Sequence, residues 1–162
     1  HQAVNRLSCP VLLNGEVNTP HAAIQLVEQT GAAGVMIGRS AIRNPWIFCQ
    51  IRQLQIGEEM LHPTLADVYS YIQSLFDALA KEGISEEKHV ARLKKFLNFI
   101  ALSVDDQGAF LYQMRRARLR SEMDSVCRKY LLDEGKADQL MNLSPYQGLL
   151  ARPSTEAIAC MG

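Results

Sequence analysis

Two short apolar runs, Val11-Leu12-Leu13 and Val35-Met36-Ile37, each lead into a glycine-containing turn, and a single helical segment separates them. Neither run is long enough or mixed enough to be amphipathic. Each suits a strand buried on both faces, as in a parallel sheet. Between them, Thr19-Pro20 offers a hydroxyl N-cap followed by proline at the first helical position. Ala23, Ile24, Val27 and Thr30 follow at helical spacing, and Gly31 stands where a C′ glycine belongs. Strand, crossover helix and parallel strand make a right-handed βαβ unit.

The two turns read Asn14-Gly15-Glu16 and Gly38-Arg39-Ser40-Ala41. Gly15 permits a positive φ and close approach of a ligand. A short helix is expected directly after Gly38. A helix start with a glycine lets several N–H groups point at one anion, and Arg39 adds a cationic donor. In (β/α)8 barrels that hold a phosphate in this way, the site lies after strands seven and eight, at the start of a short extra helix. One βαβ unit between the turns matches that arrangement. Either dipeptide alone would be ordinary turn chemistry.

Beyond the second turn, Asn44-Pro45 caps a helix from Trp46 to about Gln55, and Gly57 ends it. Pro63-Thr64 marks a boundary, after which no strand-like run remains. A helix is expected from Leu65 to Glu82, with Thr64 and Asp67 in capping-box spacing and Gly83 as stop. Ser85 caps a second, to about Ser103, with Val90, Leu93, Leu97 and Ile100 on its core side. A third helical region covers Ala109 to Leu132, broken near Ser121 with Asp124 three residues on, and Gly135 ends it. The expected fold class is thus α/β then all-α: the last βα units of a TIM barrel over 1–60, a helical bundle over 61–140, and a frayed tail over 141–162.

The formal net charge of zero hides an uneven distribution. Residues 88–130 hold ten Lys/Arg against four Asp/Glu, the sort of asymmetry that can mark an anion-binding face, although a charge run is usually only a solvated helix face. Lys88, Arg92 and Lys95 share one side of the second helix. Lys94, Arg115, Arg116, Arg118 and Arg120 complete the set, although the last four cannot all share one helical face. Cys9, Cys49, Cys127 and Cys160 form no Cys-x-x-Cys pair, so they read as reduced, buried small hydrophobes. No two histidines have metal-ligand spacing, and no metal is expected. No apolar run is long enough to span a bilayer, and a cytoplasmic protein is expected. The first residue is His1, which suggests a fragment or a processed chain.

The motifs resemble those of the tRNA-dihydrouridine synthase family, most clearly over residues 10–48. The family's Asn-Gly-acidic pattern appears as Asn14-Gly15-Glu16, with Glu where Asp is commoner. Its Thr-Gly-x-x-Gly-Val-Met-Ile-Gly-Arg pattern appears as Thr30 to Arg39, and its Asn-Pro-Trp-Ile-Phe as Asn44 to Phe48. The resemblance implies that Asn14, Gly15, Glu16, Gly38 and Arg39 contact the phosphate of FMN. It further implies that NADPH supplies hydride for reduction of a uridine to dihydrouridine, and that the basic helices (Lys88, Arg92, Lys95, Arg115 and Arg116) contact tRNA. The family's general-acid cysteine sits in an Asn-x-Gly-Cys-Pro context that does not occur here. Cys9 is therefore given no catalytic role, and this chain alone is expected to be inactive. Two alternatives stand beside this reading. One is another FMN-dependent barrel oxidoreductase acting on a small molecule. The other is a non-catalytic RNA-binding remnant.

Overall fold

The computed structural model describes residues 2–15 and 17–144. Helix α1 (Gln2–Arg6) precedes strand β1 (Leu12–Asn14), helix α2 (Pro20–Thr30) and strand β2 (Gly34–Met36). The strands pair in parallel, Leu12 opposite Gly34, Leu13 opposite Val35 and Asn14 opposite Met36. The crossover α2 carries both expected caps. Thr19 Oγ1 accepts the Ala22 N–H at 3.1 Å. Gly31, at φ 70°, donates its N–H to Val27 O at 2.9 Å; a side chain there would strain the left-handed backbone.

Burial of both strands on both faces does not hold. Leu12 is 65% exposed and Met36 47%. Among the described residues the sheet has two strands, whereas burial on both faces needs neighbouring strands and a covering layer on each side.

Helix α3 (Arg39–Arg43) starts directly after Gly38, and α4 (Ile47–Gln55) follows. Asn44 does not cap α4 with its side chain. It turns inward, where its Nδ2 donates to Gln50 Oε1 at 2.7 Å, and the fully buried Gln50 donates to Leu61 O at 2.8 Å.

Helix α5 (Leu65–Ala78) has the expected capping box: Thr64 Oγ1 accepts from the Asp67 N–H at 3.2 Å, and Asp67 Oδ2 from the Thr64 N–H at 2.8 Å. It stops four residues short of the expected Glu82. The reason is tertiary: its last carbonyls are met by side chains of helix α6 (Glu86–Ile100). Arg92 Nη1 donates to Leu79 O at 3.2 Å, and His89 Nε2 lies 2.6 Å from Phe76 O. A 3-10 turn (Ala101–Ser103) extends α6.

Helices α7 (Ala109–Arg116) and α8 (Arg120–Leu131) replace the third helical region. Their break falls at 117–119 and not at Ser121. Glu122 stabilises it by accepting the N–H groups of Arg118 at 2.6 Å and Leu119 at 3.2 Å. Asp124 turns instead to Tyr69 and Arg128.

Helices α5 to α8 enclose a common core. Val68, Ile72 and Phe76 meet Val90, Leu93, Leu97 and Ile100 there, with Phe110, Met114, Met123, Cys127 and Leu131. The final segment returns to the start of α5: Met141 donates its N–H to Pro63 O at 2.9 Å, and Leu65 donates to Gln139 O at 2.8 Å. Met141 is buried and Leu143 packs against the core, so the expected tail begins with packed residues, while Asn142 and Ser144 between and after them are exposed. Residues 145–162, the rest of the expected tail, lie outside the described residues.

One buried side chain joins the two parts. Arg43, 4% exposed, donates from Nε to Ser103 Oγ (3.2 Å), from Nη1 to Ser144 O (2.9 Å), and from Nη2 to Asn142 O (2.7 Å) and Leu102 O (3.5 Å). Tyr71 donates its hydroxyl to Ile42 O at 3.2 Å, and its ring meets Trp46 edge-on at 6.0 Å. The helical core is thereby fixed against α3 and α4.

Leu97 is fully buried at the centre of this core. Leu97→Ala is expected to cost about 2–5 kcal/mol through lost transfer energy and a residual cavity. The shift in urea midpoint measures it, and a loss well under 1 kcal/mol would place Leu97 outside the core.

Candidate functional site

Parallel register brings the ends of β1 and β2 level, because Asn14 pairs with Met36. The turns after them therefore leave the sheet side by side. Between them lies a cleft of about 270 Å³. Four of the five expected phosphate contacts, Asn14, Gly15, Gly38 and Arg39, line it together. The fifth, Glu16, lies outside the described residues.

Neither glycine has a positive φ, so the conformational freedom expected of Gly15 is not what the turn uses. Chain neighbours apart, a Cβ at either position would meet no described atom within 4 Å. The Gly38 backbone, at φ −98° and ψ −96°, lies outside the regions that other residues favour, which is itself a reason for glycine there.

Two residues join the site that the sequence pattern does not single out. Ser40 donates its hydroxyl to Asn18 Oδ1 at 2.9 Å and so ties the second turn to the first. Both line the cleft. Val17, 3% exposed, donates its N–H back to Gly15 O at 2.9 Å and closes the first turn. The Asn18–Ser40 pair spans 22 positions, which no local periodicity reveals. The site thus brings an amide side chain and a guanidinium, both able to donate, to one cleft, a pair that suits a phosphate oxyanion, while the Ser40 hydroxyl hydrogen is held by Asn18.

The basic residues do not form one free face. Arg92 is half-buried against the end of α5. Lys94 Nζ donates to Arg115 O at 2.8 Å, and Arg115 Nη2 to Asn98 Oδ1 at 2.8 Å, which fastens α6 to α7. Arg120 pairs with Asp77 at 3.1 Å and lies over the Phe76 ring at 4.7 Å. Arg116 lies over Tyr112 at 4.4 Å. Lys88 and Lys95 remain exposed on α6. The charge run is therefore partly structural, with these two lysines and the exposed Arg115, Arg116 and Arg118 on its surface.

Several groups titrate away from their ordinary values. Asp124 Oδ2 accepts from Arg128 Nε at 2.7 Å, and Oδ1 from the Tyr69 hydroxyl at 2.7 Å. The Arg128 contact, foremost, holds the Asp124 carboxyl below the usual range, and the same carboxylate pushes the Tyr69 hydroxyl up. Burial raises the Cys127 thiol to about 12, with Asp124 adding to it; this thiol stays protonated and inert. Cys9 and Cys49 are exposed, contrary to the expectation of burial, and Cys160 lies outside the described residues. Among the described residues no cluster of three or more His, Cys, Asp or Glu is placed to hold a metal ion, and no helix is long and apolar enough to cross a membrane.

Comparison with known proteins places this arrangement in a family. A family model described as dihydrouridine synthase matches residues 1–133. The tRNA-dihydrouridine synthase B of Xanthomonas axonopodis pv. citri is 33% identical over 126 residues, covering 76% of this chain and 37% of that protein. Its counterpart from Pseudomonas aeruginosa is 31% identical over 124 residues, 75% of this chain and 36% of the relative. The Salmonella typhimurium protein is 41% identical over 93 residues, 53% of this chain and 29% of the relative. The matched stretch spans 37%, 36% and 29% of the length of these three relatives. It belongs to the dihydrouridine synthase family.

The Asp124 cluster makes a prediction about acid stability. A carboxyl depressed in the folded state contributes stability above its unfolded value of about 3.9 and loses it as pH falls through the folded value. The urea midpoint of the wild type should fall between about pH 5 and 2, and Asp124→Asn should flatten part of that fall. An unchanged acid limb in Asp124→Asn would contradict the assignment.

Proposed function

We propose that this member of the dihydrouridine synthase family supplies the phosphate end of an FMN site and a tRNA-contacting surface. The protein to which it contributes would reduce uridine to 5,6-dihydrouridine in tRNA, with NADPH as reductant. In this reading residues 1–60 are the last βα units of a (β/α)8 barrel and residues 61–140 a helical tRNA-binding domain. Asn14, Gly15, Glu16, Gly38 and Arg39 hold the cofactor phosphate.

One observation carries the reading. The two turns that follow β1 and β2 open into one cleft, lined by a glycine from each and by Arg39. The residues present fit a phosphate group: they offer donors, and, chain neighbours apart, no described side chain lies within 4 Å of where a Cβ at either glycine would stand. The chemistry that a bound flavin supplies is hydride transfer from NADPH to C6 of the uracil ring. The chain's own part is to bind and orient. Fixing a phosphate at the strand ends removes rotational freedom before any chemistry begins. Ser40 and Asn18 keep the two halves of the cradle at a set distance. The tRNA part rests on the exposed cations of α6 and α7, since counterion release rewards Lys/Arg set against a phosphate backbone.

Titration of FMN into the 162-residue chain, read by flavin fluorescence, should saturate. Arg39→Ala should weaken binding by about tenfold, the value of one charge-assisted contact. A folded chain that leaves the fluorescence unchanged at millimolar FMN would refute the cleft assignment. For tRNA, the double variant Lys88→Ala/Lys95→Ala should bind more weakly and lower the slope of log K against log salt by about two. An unchanged slope would remove these lysines from the RNA surface.

A further inference from the structure

We infer that Arg43 is a positioning residue, which sets the second turn of the phosphate cleft against the helical core and so couples cleft occupancy to helix packing. The inference rests on the cleft reading above and extends it to a residue outside the cleft. Helix α3 has two ends with different duties. Gly38, Arg39 and Ser40 line the cleft at its start. Arg43 closes its other end, buried, with its guanidinium on Ser103, Asn142 and Ser144 and, at 3.5 Å, on Leu102.

The clasp is reciprocal. Ser103 accepts from Arg43 Nε at 3.2 Å and donates its hydroxyl back to Arg43 O at 3.4 Å. The helix between the two ends is short and closed by few internal bonds, such as Ala41 N–H to Gly38 O at 3.0 Å and Asn44 N–H to Ser40 O at 2.8 Å. So short a helix has little stability of its own. Its placement comes from what holds it, and Arg43 holds it through contacts 59 to 101 positions away in the chain. Lysine would keep the charge and lose the planar fork that reaches several acceptors at once. By linkage, a ligand that prefers the seated α3 tightens its junction with the helices, and loosening that junction weakens the ligand.

The test compares wild type with Arg43→Met, and with Met123→Ala as a control that damages the core in α8, away from α3. FMN affinity, urea midpoint and hydrogen exchange of the Ala41 and Asn44 amides are read for each. Arg43→Met should weaken FMN by about tenfold and speed exchange at both amides, while core amides of α5 and α8 stay protected. Met123→Ala should lower the urea midpoint and leave both FMN affinity and α3 exchange as in wild type. A folded Arg43→Met chain with wild-type affinity and exchange overturns the inference and leaves the cleft reading standing. An equal loss of FMN affinity in Met123→Ala also overturns it, because the effect would then be general destabilisation. If wild type itself ignores FMN, the cleft reading fails, and the exchange of α3 alone decides whether Arg43 positions it.

Discussion

A buried guanidinium holds the two parts of this chain together. Arg43 is enclosed, and the acceptors given to it come from the end of α6 and the segment that follows α8. A cation taken out of water is tolerated only where its donors are met. Here a serine hydroxyl and backbone carbonyls meet them. These bonds offset the cost of burial when the strand–helix unit and the helical core are both in place. The cleft depends on this, because α3 begins in the cleft and ends in the clasp.

Much of the frame is local and was legible. Thr19-Pro20, Thr64 with Asp67, and Ser85 each announce a helix start through short-range hydrogen bonds, and each start is found within a residue of the expected place. The core stripe Val90, Leu93, Leu97 and Ile100 follows from helical periodicity. The features that escaped are tertiary. Helix α5 ends early because Arg92 and His89 come from another helix to take its carbonyls. The break between α7 and α8 is set by Glu122 reaching back to two N–H groups, a signal that competed with Ser121 and Asp124 a few residues on. Nothing local marks Arg43, because its acceptors are far off in sequence.

The site shows the same division. Asn14, Gly15, Gly38 and Arg39 were legible because a parallel βαβ unit must bring its two strand ends together. Ser40 and Asn18 were not, since their bond depends on how the turns settle. The basic segment was legible as composition but not as a surface. Arg92, Lys94 and Arg120 spend part of their charge on helix ends and ion pairs within the fold. What remains for a polyanion is narrower than the count of Lys and Arg suggests.

The central claim is that the cleft between the two turns recognises phosphate. The most direct measurement is the affinity of this chain for FMN beside that for riboflavin, which has the same ring system and no phosphate. The account predicts saturable FMN binding at least about tenfold tighter than riboflavin, with the difference shrinking as salt rises. Equal affinities, unaffected by salt, would mean that nothing in the cleft reads the phosphate, and would contradict it.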